Sequence, residues 1–313
     1  MIEQQHGNVC YLQFKHYRQF SSLIHGVFTR MGGYSEIPYQ GLNTLTPKAG
    51  SEGDSIENVV RNRMLALQAL GLAEAPAVTL TAEHCANVLV VDPRGEWYTD
   101  WASYEYEERR IYSPSAVPNG DALITQQRGA ALTLSFADCT PIILYDPTKQ
   151  VIGLAHGGWR GTARAIVIAT IEAMAQQFGC EPQDIYAGIG PAIGACCYEV
   201  SETVRQLFQG ELSFDDKPTP ERYQNIVCES AVFSTQVLPD KTSLRLDLQE
   251  TNRNQLLMAK VPSEQIEVMR ICTGCNTDRF FSHRMESSKT GRFPVIIALK
   301  LRIEALDRSP KVG

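Results

Sequence analysis

The run LTLSFADCTPIILYDPTKQVIGLAHGGWRGT, residues 132–162, holds two apolar segments that each end at a chemically unusual residue. The first segment reaches Cys139, and the second runs from Val151 to His156. Aliphatic runs of this length between turn residues predict two neighbouring strands. A thiol and an imidazole at neighbouring strand ends, with Arg160 close behind, indicate a site rather than part of the core.

The composition is that of an ordinary soluble globular protein. The 313 residues are 43% hydrophobic and 20% charged, enough to bury a core. A net charge of -6 without a basic stripe argues against a nucleic-acid or anionic-membrane partner. No apolar run is long enough to span a membrane, and no secretory signal is visible. Nine cysteines without such a signal favour reduced thiols, so we expect a cytoplasmic enzyme or binding protein.

Patterning along the chain predicts strands and helices that mix without strict alternation. Strands are expected at 77–81, 87–91, 121–125, 184–189, 266–271 and 294–301, and helices from an Asp54 N-cap to Leu70, at 162–178, 201–208 and 244–260. Two stretches, 92–120 and 211–222, are expected to be irregular loops. This mixture favours a mixed α/β (α+β) layered sandwich over a doubly wound sheet. With neither a repeat nor a break in composition, we expect one domain over 1–313.

Three residues offer a metal-ligand set from separate parts of the chain: His84, Cys139 and His156. Zinc takes neutral imidazole and thiolate, and a catalytic site with three protein ligands keeps a position open for water. The spacing lacks the compactness of structural zinc motifs. The alternative is therefore a pair of satisfied core histidines and a small buried thiol.

Cys272 and Cys275 form the only CxxC of the chain. A structural zinc site would need a second pair, and the remaining cysteines hold no second CxxC, so an ordinary turn is the favoured interpretation. Cys196 and Cys197 are adjacent. In a strand they would face opposite ways, and only one could line a given pocket.

Four arginines lie near glycine-containing turns: Arg30, Arg160, Arg284 and Arg292. A guanidinium suits a phosphate, a carboxylate or a purine edge, although most surface arginines bind nothing so specific. The helix expected after Gly161 also offers unpaired N–H groups to an anion. The chain contains no G-x-S-x-G, no G-x-G-x-x-G after a strand and no phosphate-binding G-x-x-x-x-G-K-[ST] motif.

Several ordered segments of the chain form a combined pattern: HGVFTR at 25–30 with Gly32-Gly33, GLN at 41–43, Gly53-Asp54, residues 57–63, DALIT at 121–125, ADCTP at 137–141, HGGWRG at 156–161, Gly190-Pro191, CCYEV at 196–200 and TGR at 290–292. Together these segments resemble the laccase-domain family, long labelled multicopper polyphenol oxidases and now regarded as zinc-dependent purine nucleoside phosphorylases. The resemblance implies a single α/β sandwich domain similar to the catalytic domain of cytotoxic necrotizing factor. It also implies one Zn²⁺ per chain on His84, Cys139 and His156.

The implied reaction is phosphorolysis of adenosine, inosine and methylthioadenosine, releasing free base and ribose 1-phosphate or methylthioribose 1-phosphate. Adenosine deamination is also credited to the family. The substrates would be small purine nucleosides and phosphate, with no nucleic acid or membrane involved. The candidate catalytic residues are Asp138, Cys139, Arg160, His283 and Arg284, and the candidate substrate-binding residues are Arg30, Asn43 and Cys197. Arg160 and Arg284 would bind phosphate or ribose. Asp138 or a zinc-bound water would serve the purine base, and His283 would donate a proton or contact the purine.

The chain departs from the family around the first histidine, where Ala82-Glu83-His84-Cys85 replaces the usual Gln-Val-His-Gly. Loss of a polar residue two positions before a ligand affects the support of that ligand or the substrate preference. Two alternatives remain: a copper polyphenol oxidase and a non-catalytic, metal-stabilised binding protein. The copper alternative is weak, because six histidines, several of them remote, do not supply a trinuclear cluster and a blue site.

Overall fold

A computed structural model describes residues 1–46, 53–91, 101–106, 109–114, 118–237 and 242–301, and its main feature is a pair of large sheets. Within these residues the first sheet has six strands, in the order β1 (Ile2–His6), β2 (Val9–Gln13), β3 (Leu23–Phe28), β19 (Phe293–Leu299), β11 (Ala131–Phe136) and β4 (Ala77–Val78). The second has six described strands, in the order β18 (Ile266–Val268), β14 (Tyr186–Ile189), β12 (Thr140–Asp146), β13 (Val151–Gly157), β10 (Ala122–Thr125) and β6 (Val88–Val90).

Smaller sheets and helices surround this pair. The smaller sheets are β15 (Glu199–Val200), β17 (Thr242–Leu246) and β16 (Phe233–Val237); β5 (Thr81–Ala82) with β9 (Asn119–Gly120); and β7 (Trp101–Tyr106) with β8 (Arg109–Pro114). The helices are α1 (Ile56–Ala69), α2 (Trp159–Thr162), α3 (Ile166–Phe178), α4 (Glu202–Gln209), α5 (Glu221–Ser230) and α6 (Leu248–Met258), with short 3-10 turns at His16–Gln19, Pro182–Asp184 and Ser263–Gln265. In the described part of the chain, no helix has the length and apolar character that crossing a membrane requires.

The two large sheets pack face to face, and helices cover their outer faces. Side chains of both sheets, including Phe136, Val295 and Ile143, share one apolar cluster. Helix α1 packs against the outer face of the first sheet. Helices α3 and α6 pack against the outer face of the second sheet. The order of layers is therefore helix, sheet, sheet, helix, which confirms the mixed α/β sandwich expected from the sequence.

The burial of strand β12 on both faces explains why residues 140–146 are almost continuously apolar. Alternate residues of a strand point to opposite faces of the sheet. Ile143 and Tyr145 therefore belong to the cluster between the sheets, and Ile142 and Leu144 to the cluster under α3. All seven residues of the strand are buried. Each such large apolar side chain contributes about 1.5–3 kcal/mol relative to exposure.

The register of the second sheet brings the chemically unusual residues to one edge. Strands β12 and β13 are antiparallel, with Pro141 opposite His156. The start of β12, immediately after Cys139, therefore lies beside the end of β13. Strand β10 is antiparallel to β13, so its start, immediately after Asp121, lies at the same edge. The backbone N–H of His156 donates to the carbonyl of Asp121 at 2.7 Å.

Two helix starts differ from the sequence prediction. The N-cap of α1 is Ser55, whose hydroxyl accepts from the N–H of Asn58, because the expected cap Asp54 accepts instead from the amide of Asn43 at 2.8 Å. The helix expected at 162–178 is divided into α2 and α3. Ala165 has φ 61°, a left-handed conformation that a helix cannot continue through.

Three further elements differ. The loop expected at 211–222 ends where α5 begins at Glu221, and the helix expected at 244–260 is a strand, β17, followed by α6 with Asp247 as its N-cap. Within the expected loop 92–120, β7 and β8 form an antiparallel hairpin. Residues 92–100, 107–108 and 115–117 of that loop lie outside the described residues.

Replacing His25 with glutamine should remove part of the acid sensitivity of the fold. His25 is 4% exposed, and its Nε2 accepts from the N–H of Phe14 at 2.9 Å. Burial, reinforced by the charge of His16, lowers the pKa of His25 to about 3. Between pH 6.5 and 3 the unfolded chain binds the extra proton, so stability falls as pH drops. From pH 7 to 5 the wild type should lose about 2 kcal/mol through this residue.

Urea unfolding at both pH values measures that loss. The glutamine amide can still accept the Phe14 hydrogen bond but does not titrate, so His25→Gln should lose about 2 kcal/mol less than the wild type between the two pH values. The exposed His6 provides the matched control, His6→Gln, which should behave as the wild type does. An unchanged pH dependence in His25→Gln would show that His25 is not the titrating group.

Candidate active site

His84, Cys139 and His156 come together although they come from three separate segments of the chain. One ligand atom from each, an imidazole nitrogen or Sγ, lies within 4.8 Å of the others. Cys139 Sγ is 3.9 Å from Nε2 of His84, and the two imidazole rings are 5.0 Å apart and nearly perpendicular. The three side chains thus converge on one point, as the sequence predicts.

Asp121 holds this set in place from behind. Its fully buried carboxylate accepts from Nδ1 of His156 at 3.0 Å and from the backbone N–H of His84 at 3.0 Å. The other oxygen accepts from the N–H of Cys85 at 2.6 Å. A carboxylate on one nitrogen of an imidazole fixes the tautomer and leaves the other nitrogen free for a ligand. Asp121 is not among the site residues predicted from the sequence, although its place just before a strand at the same sheet edge is the signal that points to it.

The charges of the set support one another. Burial raises the pKa of the Cys139 thiol, but the charge of His156 and hydrogen bonds from His156 and His84 outweigh burial and lower this pKa. For His156 burial lowers the pKa, and the Cys139 thiolate and Asp121 together raise it. Cys85, the neighbour of His84, behaves differently. Burial and its hydrogen bond with Asp121 raise the pKa of that thiol to about 11, so it stays protonated at neutral pH.

Arg164, which the sequence analysis missed, supports His84 from another side. Its side chain is 1% exposed, and its guanidinium donates to the carbonyl of His84 at 2.7 Å. It also donates to Asp216 and to the carbonyl of Lys217, both at 2.6 Å. His84 itself has φ 58°, so its backbone is held in a left-handed turn. An arginine within an expected helix is usually predicted to lie on the surface. The side chain of Arg164 points inward because the expected helix is interrupted at Ala165.

The departure before His84 also connects to this loop. The carboxylate of Glu83 accepts from Nζ of Lys217 at 3.0 Å, and Ala82 pairs with Gly120 between β5 and β9. Glu83 thus forms an exposed ion pair that links the His84 turn to Lys217. Surface ion pairs of this kind contribute about 0–1 kcal/mol.

Asp138 lies next to Cys139, but its carboxylate faces another part of the molecule. One oxygen accepts from the hydroxyls of Thr273 and Ser282, each at 2.7 Å, and the other accepts from the N–H of Arg284 at 2.7 Å. Asp138 is 8% exposed and has φ 79°. Because its oxygens accept from three donors, the Asp138 carboxylate positions the segment 273–284 against the ligand set, and its oxygens are already engaged within the protein.

The side chains of His283 and Arg292 lie next to each other. A guanidinium N–H of Arg292 donates to Nδ1 of His283 at 3.1 Å, which leaves the proton of the neutral ring on Nε2, 3.2 Å from the hydroxyl of Ser288. Burial and then the charge of Arg292 lower the pKa of His283. Asn43 supports this pair from below, because its side-chain oxygen accepts from the N–H of Arg292 at 2.9 Å. The Asn43 amide donates to Asp54, so the side chain is engaged within the protein.

The remaining candidates divide into free and engaged groups. Arg160 is 40% exposed, pairs loosely with Asp216 at 3.5 Å, and is available to an anion. Arg284 is exposed and donates to the carbonyl of Glu199 at 2.8 Å. Arg30 is engaged, since its guanidinium donates to the carbonyl of Thr277 and to Glu286, both at 2.8 Å. The fourth of these side chains, Cys197, lies among other thiols, with its Sγ 3.4 Å from that of Cys275.

Replacing Gly158 with alanine should weaken metal binding at this set by about tenfold. A Cβ at this position would lie 2.8 Å from Cδ2 of His84 and 3.0 Å from Sγ of Cys139, so both side chains must move. The backbone is no obstacle, because Gly158 has φ −69°. A competition titration of zinc against a chromogenic chelator measures the change. Gly153→Ala, on the strand that ends just before Gly158, is the control, since the nearest atoms to its Cβ would be 3.4 Å away. Equal affinity in the two variants would contradict the prediction.

Comparison with known proteins identifies the family of the chain. The family model described as multi-copper polyphenol oxidoreductase laccase matches residues 24–300. The purine nucleoside phosphorylase of Bacteroides thetaiotaomicron is 34% identical over 281 residues, which cover 90% of this chain and 93% of that protein. The purine nucleoside phosphorylase YlmD of Geobacillus stearothermophilus is 35% identical over 280 residues, covering 89% and 90%.

The fold is shared as well. The crystal structure of YlmD from Geobacillus stearothermophilus aligns with a TM-score of 0.73 at 31% sequence identity, covering 96% of this chain and 99% of that one. The similarity therefore extends over the whole mixed α/β sandwich, beyond the segments around the ligand set. With the match over residues 24–300 and these identities, the expected resemblance is confirmed, and the chain belongs to the laccase-domain family, described as multi-copper polyphenol oxidoreductase laccase.

Proposed function

We propose that the protein is a zinc-dependent purine nucleoside phosphorylase acting on adenosine, inosine and methylthioadenosine. The observation that carries the proposal is the convergence of His84, Cys139 and His156 on one point. The relatives at 34% and 35% identity that are named purine nucleoside phosphorylases support the reaction class.

The donor set fits Zn²⁺. Two imidazoles and a thiolate are the ligands this ion prefers, and three protein ligands leave one position open. Asp121 occupies Nδ1 of His156, so Nε2 is the nitrogen left for a metal. When bound, Zn²⁺ supplies a positive charge and Lewis acidity at this point.

The residues around the set suit phosphorolysis. A phosphate oxygen forms the new bond to the anomeric carbon while the bond from that carbon to the purine nitrogen breaks, and the departing base takes the electron pair and then a proton. Arg160 and Arg284 offer guanidinium groups to the phosphate. His283 carries its proton on Nε2, because Arg292 donates to Nδ1, and we assign this N–H to a hydrogen bond with the purine. The proton that the departing base takes is the one that the attacking phosphate loses, passed through solvent. Asp138 positions Arg284 through its backbone N–H.

A copper oxidase is the alternative that the family description favours. All six histidines lie in described residues, and only His84 and His156 belong to a group that could hold a metal. His16 and His25 lie instead in an aromatic cluster with Tyr17. A trinuclear copper cluster with a blue site needs many more imidazoles at one place, so this donor set does not fit multicopper chemistry.

The single domain over residues 1–313 is part of the proposal. It is supported by the first sheet, in which β19, from the C-terminal part of the chain, lies between β3 and β11. The cytoplasmic location stays a prediction.

The reaction is tested by incubating the purified, zinc-loaded protein with each nucleoside, with and without phosphate, and separating the products by chromatography. Free base and ribose 1-phosphate should form from adenosine and inosine only when phosphate is present, and uridine should remain intact. Inosine formed from adenosine without phosphate would establish the deaminase activity. Free base formed equally without phosphate would make the protein a hydrolase, and no product from any purine nucleoside would overturn the proposal.

A further inference from the structure

A second group of thiols lies outside the candidate active site, where two turns meet. We call it the thiol cluster; its members are Cys196, Cys197, Cys272 and Cys275. All four Sγ atoms lie within 4.8 Å of one another. Sγ of Cys275 is 3.4 Å from Sγ of Cys196 and 3.4 Å from Sγ of Cys197. Among the described residues, the thiol cluster and the His84 set are the two groups of three or more side chains that could hold a metal ion.

The sequence predicts an ordinary turn at the CxxC, and the structure supplies the second pair that this prediction finds missing. Residues 195–197 form a turn rather than a strand. The rule that neighbours face opposite ways therefore does not apply to Cys196 and Cys197, and both thiols face Cys275. Adjacent cysteines in a turn thus take the place of a second CxxC.

The spacing of the sulfurs suits one tetrahedral ion. Zn–S bonds of about 2.3 Å place the sulfurs of a tetrahedral site about 3.8 Å apart. In the thiol cluster two Sγ–Sγ separations are 3.4 Å and all lie within 4.8 Å, so the tetrahedral value falls inside this range. A cluster of several irons holds its cysteine sulfurs further apart, because a second iron and sulfides lie between them. A dedicated disulfide would pair Cys275 with one partner, whereas two partners lie at the same 3.4 Å.

The turns are built for close approach of the four thiols. The N–H of Gly194 donates to Sγ of Cys272 at 3.2 Å, a hydrogen bond that favours the thiolate. A Cβ on Gly274 would lie 2.9 Å from Cβ of Cys197, and one on Gly194 would lie 3.2 Å from Cβ of Cys272. Each turn therefore has a glycine where a cysteine of the opposite turn packs.

We propose that the thiol cluster is a closed structural Zn²⁺ site with four thiolate ligands, separate from the His84 set. Binding releases the thiol protons to solvent and involves no change of oxidation state. The site would fasten the two turns beside Asp138, since Thr273 donates to the Asp138 carboxylate and the N–H of Ile193 donates to its carbonyl. The proposal does not depend on the purine reaction.

Zinc stoichiometry tests it. Protein purified under reducing conditions, loaded with zinc and freed of loose metal should contain one zinc per chain more than Cys275→Ser does, whatever the His84 set holds. Cys228→Ser, a change of an exposed thiol on α5, is the matched control and should keep the wild-type content. The Cys139→Ala protein loaded with Co²⁺ should show the thiolate-to-cobalt bands of a tetrahedral sulfur site, and the double variant with Cys275→Ser should lose them.

A measurement on the wild-type protein tests the proposal without depending on whether the variants fold. Alkylation mapped by mass spectrometry should spare the four cysteines of the thiol cluster in the zinc-loaded protein, modify them after chelation, and modify Cys228 in both samples. Equal zinc in wild type and Cys275→Ser would overturn the proposal. So would a disulfide to Cys275 in the zinc-loaded protein, iron in place of zinc, or equal alkylation before and after chelation.

Discussion

Replacing Cys139 with alanine should lower kcat/KM for adenosine phosphorolysis by about 10³-fold, which corresponds to about 4 kcal/mol of transition-state stabilisation. Cys139 provides the thiolate of the set and stands 3.9 Å from Nε2 of His84. Without it two imidazoles remain, fewer than the three protein ligands of a catalytic zinc site. Steady-state kinetics with free base as the measured product gives the ratio directly.

The matched control for this variant is Cys228→Ser, which changes an exposed thiol far along the chain and should keep wild-type kinetics. Circular dichroism and urea unfolding establish that Cys139→Ala is folded, as expected because Cys139 contributes a half-buried side chain at a strand end. A value of kcat/KM within a few-fold of the wild type in folded Cys139→Ala would remove this thiol from the chemistry and with it the proposed role of the ligand set.

Replacing Asp121 with asparagine should reduce zinc affinity at the set by about 10–100-fold. The carboxylate accepts hydrogen bonds from Nδ1 of His156 and from the N–H groups of His84 and Cys85. An amide of the same shape has one oxygen and one NH₂, so in either orientation a donor of the protein faces another donor. An unsatisfied buried donor costs about 1–3 kcal/mol, and the stability of the variant should fall by that amount.

Asp146→Asn is the matched control for the same substitution at a buried site. Asp146 is also fully buried and lies at the other end of β12, where one carboxylate oxygen accepts from the N–H groups of Thr148 and Lys149 at 2.8 Å. An asparagine keeps both bonds on its single oxygen, so Asp146→Asn should stay near the wild type in urea and in a chelator competition, whereas Asp121→Asn should lose stability and bind zinc more weakly. Equal zinc affinities would mean that Asp121 supports the fold without supporting the ligands.

The part of the site predicted from sequence depends on neighbouring strands. Strands β12 and β13 follow each other and pair antiparallel, so the start of one and the end of the other meet, and Cys139 meets His156. His84 is 55 residues from Cys139 in the sequence, and neither strand periodicity nor spacing predicts that the two side chains lie together. Its turn is held by Asp121 and Arg164 through hydrogen bonds to the backbone, and for this reason only the family resemblance made it more than a candidate.

The features that sequence reasoning missed are set by contacts between distant segments or by unusual backbone. The thiol cluster needs two turns 75 or more residues apart to meet, and the CC pair carries no spacing signal of its own. Arg164 points inward because Ala165 takes a left-handed conformation, which the residue type alanine does not predict. The layered fold, by contrast, follows from long apolar runs such as β12, whose two buried faces require a layer on each side.

The hydrogen bonds of Asp121 have a consequence for how the enzyme matures. Protein atoms fix the ring of His156 and the backbone of His84, so we expect the polypeptide to reach its native shape before any ion arrives. Metallation is then a late step, and exchange of one ion for another needs no unfolding. A preformed site of this kind follows the Irving–Williams order, in which copper binds more tightly than zinc, so the ion it receives is decided by cellular supply. We therefore expect growth medium and purification buffer to decide which of these ions a preparation carries.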